Sequence, residues 1–195
     1  MKIALFASGN GSNFAAMLAA IETGHLSAEI GILVCDQPEA VVVERAKANN
    51  IETFVFKARQ YKDKATFETK IIEQLQQHEI ELVVLAGYMR LIGPTLLTAY
   101  EGKIINIHPS LLPAYAGKDA IERAYAAGEK EIGITIHYVD AGMDTGEPIA
   151  QFKVARTEGD TLESLEARLH QTEHVYYPQI VQQLIEKMEG TVKDK

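Results

Sequence analysis

Asn106 and His108 lie two residues apart in Lys103-Ile104-Ile105-Asn106-Ile107-His108-Pro109-Ser110-Leu111-Leu112-Pro113. The first half of that stretch is short, apolar and β-branched, which predicts a buried strand. The prolines that follow lack the N–H a ladder needs, so the strand ends near His108. Side chains alternate along a strand, so the amide and the imidazole project from its carboxyl end on one face. In open α/β sheets, ligands bind at such ends. An Asn and a His there can equally do no more than satisfy loop carbonyls. A third group, Asp144, stands in the glycine-spaced acidic loop Asp140-Ala141-Gly142-Met143-Asp144-Thr145-Gly146. An amide, an imidazole and a carboxylate suit acyl transfer to an amine. The amide and a protonated imidazole stabilise an oxyanion, and the carboxylate holds the imidazolium and helps remove the amine proton. No serine or cysteine is flanked by a convincing base. The acidic loop does not fit the spacing of an EF-hand calcium loop.

A second chemical stretch is Ser8-Gly9-Asn10-Gly11-Ser12-Asn13, between an apolar run, Lys2 to Ala7, and an amphipathic run, Phe14 to Glu22. Strand, glycine turn and helix N-terminus place free N–H groups and the positive end of a dipole against a phosphate. Ser12 or Asn13 can equally be a plain N-cap. The dinucleotide fingerprint needs a third glycine where Phe14 stands, so this loop is a poor NAD signal. Asp36, after the strand Ile30 to Cys35, occupies the place of a ribose-binding acid, although a lone loop acid is usually solvated. Arg90, in Gly87-Tyr88-Met89-Arg90, reads as either a solvated charge or a partner for a ligand carboxylate or carbonyl.

The elements that must position these groups alternate. Further strands are expected at Thr53 to Phe56, Leu82 to Ala86, Ile132 to Val139 and Ile149 to Val154. Helices are expected at Glu39 to Asn49, Lys64 to His78, from Pro94, and at Asp119 to Ala127. This pattern predicts a Rossmann-like α/β domain. Its seven-stranded sheet is open and mostly parallel, with helices on both faces. The short Asp140 to Gly146 loop makes a hairpin, so the sheet should end antiparallel. The Leu82 strand should neighbour the first, bringing Gly87 to Arg90 beside the glycine loop. Two prolines in five residues predict a tight reversal with a cis Leu112–Pro113 bond. Thr161 to Glu189 reads as one long helix that Pro178 bends or breaks, followed by a frayed tail from Gly190. Glu173 and His174 read as exposed residues of that helix.

At 195 residues the chain is expected to be a single domain, 1–195. Its one cysteine excludes an intrachain disulfide, and no Cys/His cluster has zinc spacing. With no signal segment and no membrane-length apolar run, the expected location is cytoplasmic. A net charge of −8 argues against a general nucleic-acid binder, and leaves room for a small phosphorylated substrate.

Four stretches in order carry a resemblance over essentially the whole chain: Ser-Gly-Asn-Gly-Ser-Asn at 8–13, Leu-Ala-Gly-Tyr-Met-Arg at 85–90, Asn-Ile-His-Pro-Ser-Leu-Leu-Pro at 106–113 and His-Tyr-Val-Asp-Ala-Gly-Met-Asp-Thr-Gly at 137–146. The chain resembles the folate-dependent formyltransferases, and within them the branch of purine synthesis. The resemblance implies 10-formyltetrahydrofolate as donor, the glycyl amine of glycinamide ribonucleotide as acceptor, and no metal. It implies a catalytic group of Asn106, His108 and Asp144. The substrate phosphate would be held by Gly11, Ser12 and Asn13, and the ribose contacted by Glu173. The folate would lie against Met89, Arg90 and Leu91 and the loop of Asp140, Ala141, Gly142 and Asp144. Position 170 varies among such proteins, and His170 leaves a phosphate contact there open. A methionyl-tRNA formyltransferase would carry a further C-terminal domain and a more basic surface, and a formyltetrahydrofolate deformylase an extra N-terminal domain. A nicotinamide-binding oxidoreductase, suggested by Gly9, Gly11 and Asp36, leaves the motif at 106–113 unexplained.

Overall fold

The computed structural model describes residues 1–193. The strands are β1 (Lys2–Ala7), β2 (Glu29–Cys35), β3 (Thr53–Val55), β4 (Leu82–Leu85), β5 (Ile104–His108), β6 (Glu131–Tyr138) and β7 (Pro148–Ala155). The α-helices are α1 (Ser12–Glu22), α2 (Val41–Ala48), α3 (Lys64–Gln77), α4 (Pro94–Ala99), α5 (Ala120–Ala126) and α6 (Leu162–Lys193). A turn of 3₁₀ helix, Ala58–Gln60, lies between β3 and α3.

The strands form one sheet in the order β3-β2-β1-β4-β5-β6-β7. The first five are parallel, and β6 runs antiparallel to both β5 and β7. The expected seven-stranded sheet with an antiparallel end is therefore present. Alternation divides β1 between two cores. Ile3, Leu5 and Ala7 pack with Phe14 and Met17 of α1, Val42 of α2, Ile121 of α5 and Leu169 and Tyr177 of α6. Ala4 and Phe6 pack with Phe67 and Ile71 of α3 and Leu96 of α4 on the other face. Helices on both faces explain why the parallel strands read as unbroken apolar runs. The chain steps one way from β1 to β3 and the other way from β4, so the tips of β1 and β4 flank the switch point, where ligands bind.

The expected long helix is present as α6; it does not break at Pro178 and runs past the expected end at Glu189 to Lys193. Pro178 removes one backbone N–H, but Tyr177, Ile180, Val181 and Leu184 are buried around it, and tertiary packing outweighs the lost bond. The frayed tail expected from Gly190 is thus helical as far as Lys193; Asp194 and Lys195 lie outside the described residues. The Leu112–Pro113 bond is cis, as expected.

Candidate active site

Asn106 and His108 emerge at the carboxyl end of β5 as the alternation requires. The loop beyond them is tied to β6 and β7. Thr135 Oγ1 donates to Ser110 O at 2.7 Å and accepts from Leu112 N at 3.0 Å, while Gln151 Nε2 donates to Leu112 O at 2.8 Å. His108 is 6% exposed and its Nε2 lies 2.8 Å from Tyr115 O. A carbonyl only accepts, so Nε2 carries a hydrogen. Its Nδ1 lies 3.3 Å from Asp144 Oδ2.

Asp144 folds over this tip from the β6–β7 loop in the left-handed conformation, φ 57°. Its Oδ2 also accepts from Gly117 N at 2.8 Å. Its Oδ1 lies 3.6 Å from Nε2 of His137, a residue sequence reasoning left out of the site. His137 pairs with Asn106 across the antiparallel β5–β6 ladder, with Asn106 Nδ2 3.4 Å from its Nε2. Its Nδ1 donates to Tyr138 O at 2.7 Å. The approach of His137, then the Gly117 amide and the charge of His108, hold the Asp144 carboxyl below the usual carboxylate range, against the opposing effect of burial. The acidic loop is shaped by Asp140, whose Oδ1 accepts from Gly142 N at 2.9 Å and Thr145 Oγ1 at 2.6 Å. A Cβ at Gly142 would overlap Thr145 Oγ1, which explains the glycine.

Asn106, His108, His137 and Asp144 share a cleft of about 480 Å³ with the β4 tip. Met89, Arg90, Leu91, Asp140 and Gly142 line it too, whereas Ala141 is not among its walls. Met89 (79% exposed), Leu91 and Met143 form an exposed apolar rim above a polar base. That suits a flat, largely apolar ligand with a reactive polar end. Among the described residues, no group of three or more His, Cys, Asp or Glu side chains is placed to hold a metal ion.

The glycine loop gathers at the neighbouring tip. The cap of α1 is Gly11, at φ 79°, with no side-chain cap bond, so neither Ser12 nor Asn13 is the plain cap that was the alternative reading. The first intrahelical bond is Ala15 N to Gly11 O at 2.9 Å, which leaves the amides of Ser12, Asn13 and Phe14 ahead of the ladder. From α2, Val42 N donates to Gly9 O at 3.1 Å, and Arg45 Nε donates to Asn10 O at 2.9 Å. Glu173, expected on an exposed helix face, is 4% exposed; its Oε2 accepts from Asn13 Nδ2 at 3.1 Å and meets His170 Nδ1 at 3.1 Å. Asn13 Oδ1 is buried without a partner, an acceptor left for a donor not supplied by the described residues. Asp36 is not a solvated loop acid. It is buried and joined to Ser8 and Arg90, so Arg90 is not a free surface charge either.

The family model described as "Formyl transferase" matches residues 1–181. The chain belongs to the formyl transferase family. Phosphoribosylglycinamide formyltransferase of Bacillus subtilis (strain 168) is 56% identical over 184 residues, 94% of each chain. A crystal structure of phosphoribosylglycinamide formyltransferase from Bacillus halodurans superposes with a TM-score of 0.93 at 48% identity, covering 96% of this chain and 97% of that one. Glycinamide ribonucleotide transformylase 1 from Geobacillus kaustophilus gives 0.91 at 55% identity, covering 94% and 97%.

For this formyl transferase, the residues missed from sequence are mostly buried polar ones. His137 had a signal: an ionisable residue inside the apolar run Ile132 to Val139. What no local pattern gave was its partner, since Asn106 and His137 meet only through the β5–β6 pairing.

Proposed function

We propose that this chain transfers the formyl group of 10-formyltetrahydrofolate to the glycyl amine of glycinamide ribonucleotide, a step of purine synthesis that fits a cytoplasmic enzyme. The observation that carries the reading is the convergence of Asn106, His108 and Asp144 from two elements on the base of one apolar-rimmed cleft, in a formyl transferase chain. The rim of Met89, Leu91 and Met143 supports placing the folate there, with Arg90, Asp140, Ala141 and Gly142 completing its surroundings. The Gly11 turn and the amides of Ser12 and Asn13 ahead of the helix ladder support a phosphate held by Gly11, Ser12 and Asn13 beside Glu173, whose carboxylate suits ribose hydroxyls.

In this reading Asn106 donates to the formyl oxygen. His108, with a carbonyl before one nitrogen and a carboxylate before the other, holds a positive charge beside that oxygen as it becomes an oxyanion in the tetrahedral intermediate. Asp144 balances the imidazolium and organises a water that takes the proton of the attacking amine. As the new C–N bond forms and the old one breaks, the departing folate nitrogen regains a proton.

The test is a formyl-transfer assay of the purified protein with both compounds, with other amines as competing acceptors. Transfer selective for glycinamide ribonucleotide is expected. Transfer equally fast to amines lacking the ribose phosphate would contradict the glycine-loop assignment, and no transfer at all would contradict the reading.

A further inference from the structure

The Gly87–Gly93 segment between β4 and α4 buries Ile92 but presents two apolar side chains to water, Met89 at 79% and Leu91 at 44% exposure. Left to itself such a segment would fold its apolar groups inward. Two buried carboxylates prevent that. At one end is Asp36, at the tip of β2 and 3% exposed. It accepts from Arg90 Nε at 2.7 Å and from Ser8 Oγ at 2.5 Å. The same Ser8 hydroxyl accepts from Met89 N at 2.9 Å, and Ser8 N donates to Gly87 O at 2.9 Å. This is a directional chain, from amide to hydroxyl to carboxylate, in which each bond polarises the next. The Arg90 guanidinium also lies over the Phe67 ring of α3, 5.8 Å from its centroid.

At the other end is Glu68 of α3, 2% exposed, which accepts from Gly93 N at 2.6 Å and Leu96 N at 3.0 Å. Between them Lys64 Nζ donates to Leu91 O at 2.8 Å. The segment is fixed by its backbone and by the Arg90 side chain, which leaves Met89 and Leu91 facing the cleft. With Nε committed to Asp36, Arg90 serves by fixing shape rather than as an unpaired countercharge.

We propose that Asp36 is a positioning residue for the formyl donor, holding the Met89–Leu91 lip open through Arg90 and Ser8. The proposal rests on the reading that the donor lies against this lip. Asp36 itself touches no substrate.

The experiment compares the intact protein with Asp36→Asn in steady-state kinetics, thermal unfolding and amide hydrogen exchange. A neutral amide weakens the charge-assisted bond to Arg90 and the bond from Ser8. KM for the formyl donor is expected to rise roughly tenfold or more, with KM for the acceptor and kcat changing much less. The Met89 amide should exchange faster, since its acceptor Ser8 Oγ is no longer held. Adding Ser8→Ala to Asp36→Asn should raise donor KM little further, because both changes break one network.

A lowered melting temperature with unchanged donor KM would overturn the proposal and leave the ion pair a purely structural one. So would a rise in kcat loss without a KM effect. If Asp36→Asn does not fold, Ser8→Ala removes the hydroxyl alone; it should raise donor KM and speed Met89 exchange in the same direction, and no effect on either overturns the proposal. A wild-type protein that transfers no formyl group would sink the donor reading instead, while Met89 exchange would still report whether Asp36 holds the lip.

Discussion

Asp144 sits where a carboxylate can be ionised and still partly buried, because His137, the Gly117 amide and His108 all face it. His137 contributes most to that depression, so replacing it should be visible as a titration change. In His137→Gln the Asp144 carboxyl rises toward its unperturbed value, and the acidic limb of the kcat profile moves to higher pH. An unmoved limb would show that His137 does not act on Asp144. His108 and Asp144 form one unit, so His108→Ala with Asp144→Asn should lose far less than the product of the single losses in kcat. Fully multiplicative losses would contradict the pairing. At this scale the sequence revealed Asn106 and His108, because a strand period of two is a local property. It did not reveal His137 or the network of Asp36, Ser8 and Arg90, because those contacts join residues 28 to 81 positions apart.

Helix α1 was legible from the Gly11-Ser12 turn, but the reason for the glycine was not. Gly11 is at φ 79°, and a Cβ there would overlap the Val42 side chain of α2. A substitution therefore strains the backbone and collides with a neighbour, and it disturbs the fold as well as any phosphate site. Gly11→Ala should cost roughly 1–2 kcal/mol from the left-handed backbone alone, plus the collision. Val42→Gly in the same chain removes both colliding carbons, Cγ2 and Cβ, and, compared with Val42→Gly alone, should recover the collision part while KM for glycinamide ribonucleotide stays raised. Recovery of normal KM by the second change would contradict backbone recognition by this loop.

On α6, the Glu173 carboxylate hydrogen-bonds His170 and raises its pKa above the usual histidine value, against burial. The stability this contributes is present below the unfolded pKa, about 6.5, and is lost as pH rises through the higher folded value. The side chain is 50% exposed, so the effect should be well under about 1 kcal/mol. His174, whose pKa burial lowers, works the other way over the same range, so the comparison is between variants: in chemical denaturation from about pH 6 to about pH 8, wild type should lose stability relative to His170→Gln. An identical pH dependence in the two would contradict the contact.

The whole molecule places two loops at one switch point and a third, from the antiparallel end, over them. The alternation of apolar strands and amphipathic helices made the α/β sheet readable, and the short Asp140 to Gly146 loop made its antiparallel end readable. The long helix α6 was readable, but not that it runs unbroken through Pro178, since proline's local cost is visible in a sequence and the packing that outweighs it is not. Acid should unfold the molecule by a predictable route. Asp144 and Asp160 both have carboxyls held below the usual range, the latter chiefly by the Arg168 guanidinium. Their contributions are present above the unfolded value, about 3.9, and are lost as pH falls through the depressed folded values. Stability should therefore drop as pH is lowered below about 4, measurable as a falling denaturation midpoint; a flat midpoint there would contradict it. The central claim is that this cleft carries out formyl transfer through Asn106, His108 and Asp144. Its most direct test is single-turnover transfer from labelled 10-formyltetrahydrofolate to glycinamide ribonucleotide, with both at saturation, in wild type and Asp144→Asn. The expected result is transfer by wild type and a rate roughly 10²–10⁴ lower in the variant, with both ligands still bound; a variant that transfers at the wild-type rate would contradict the account.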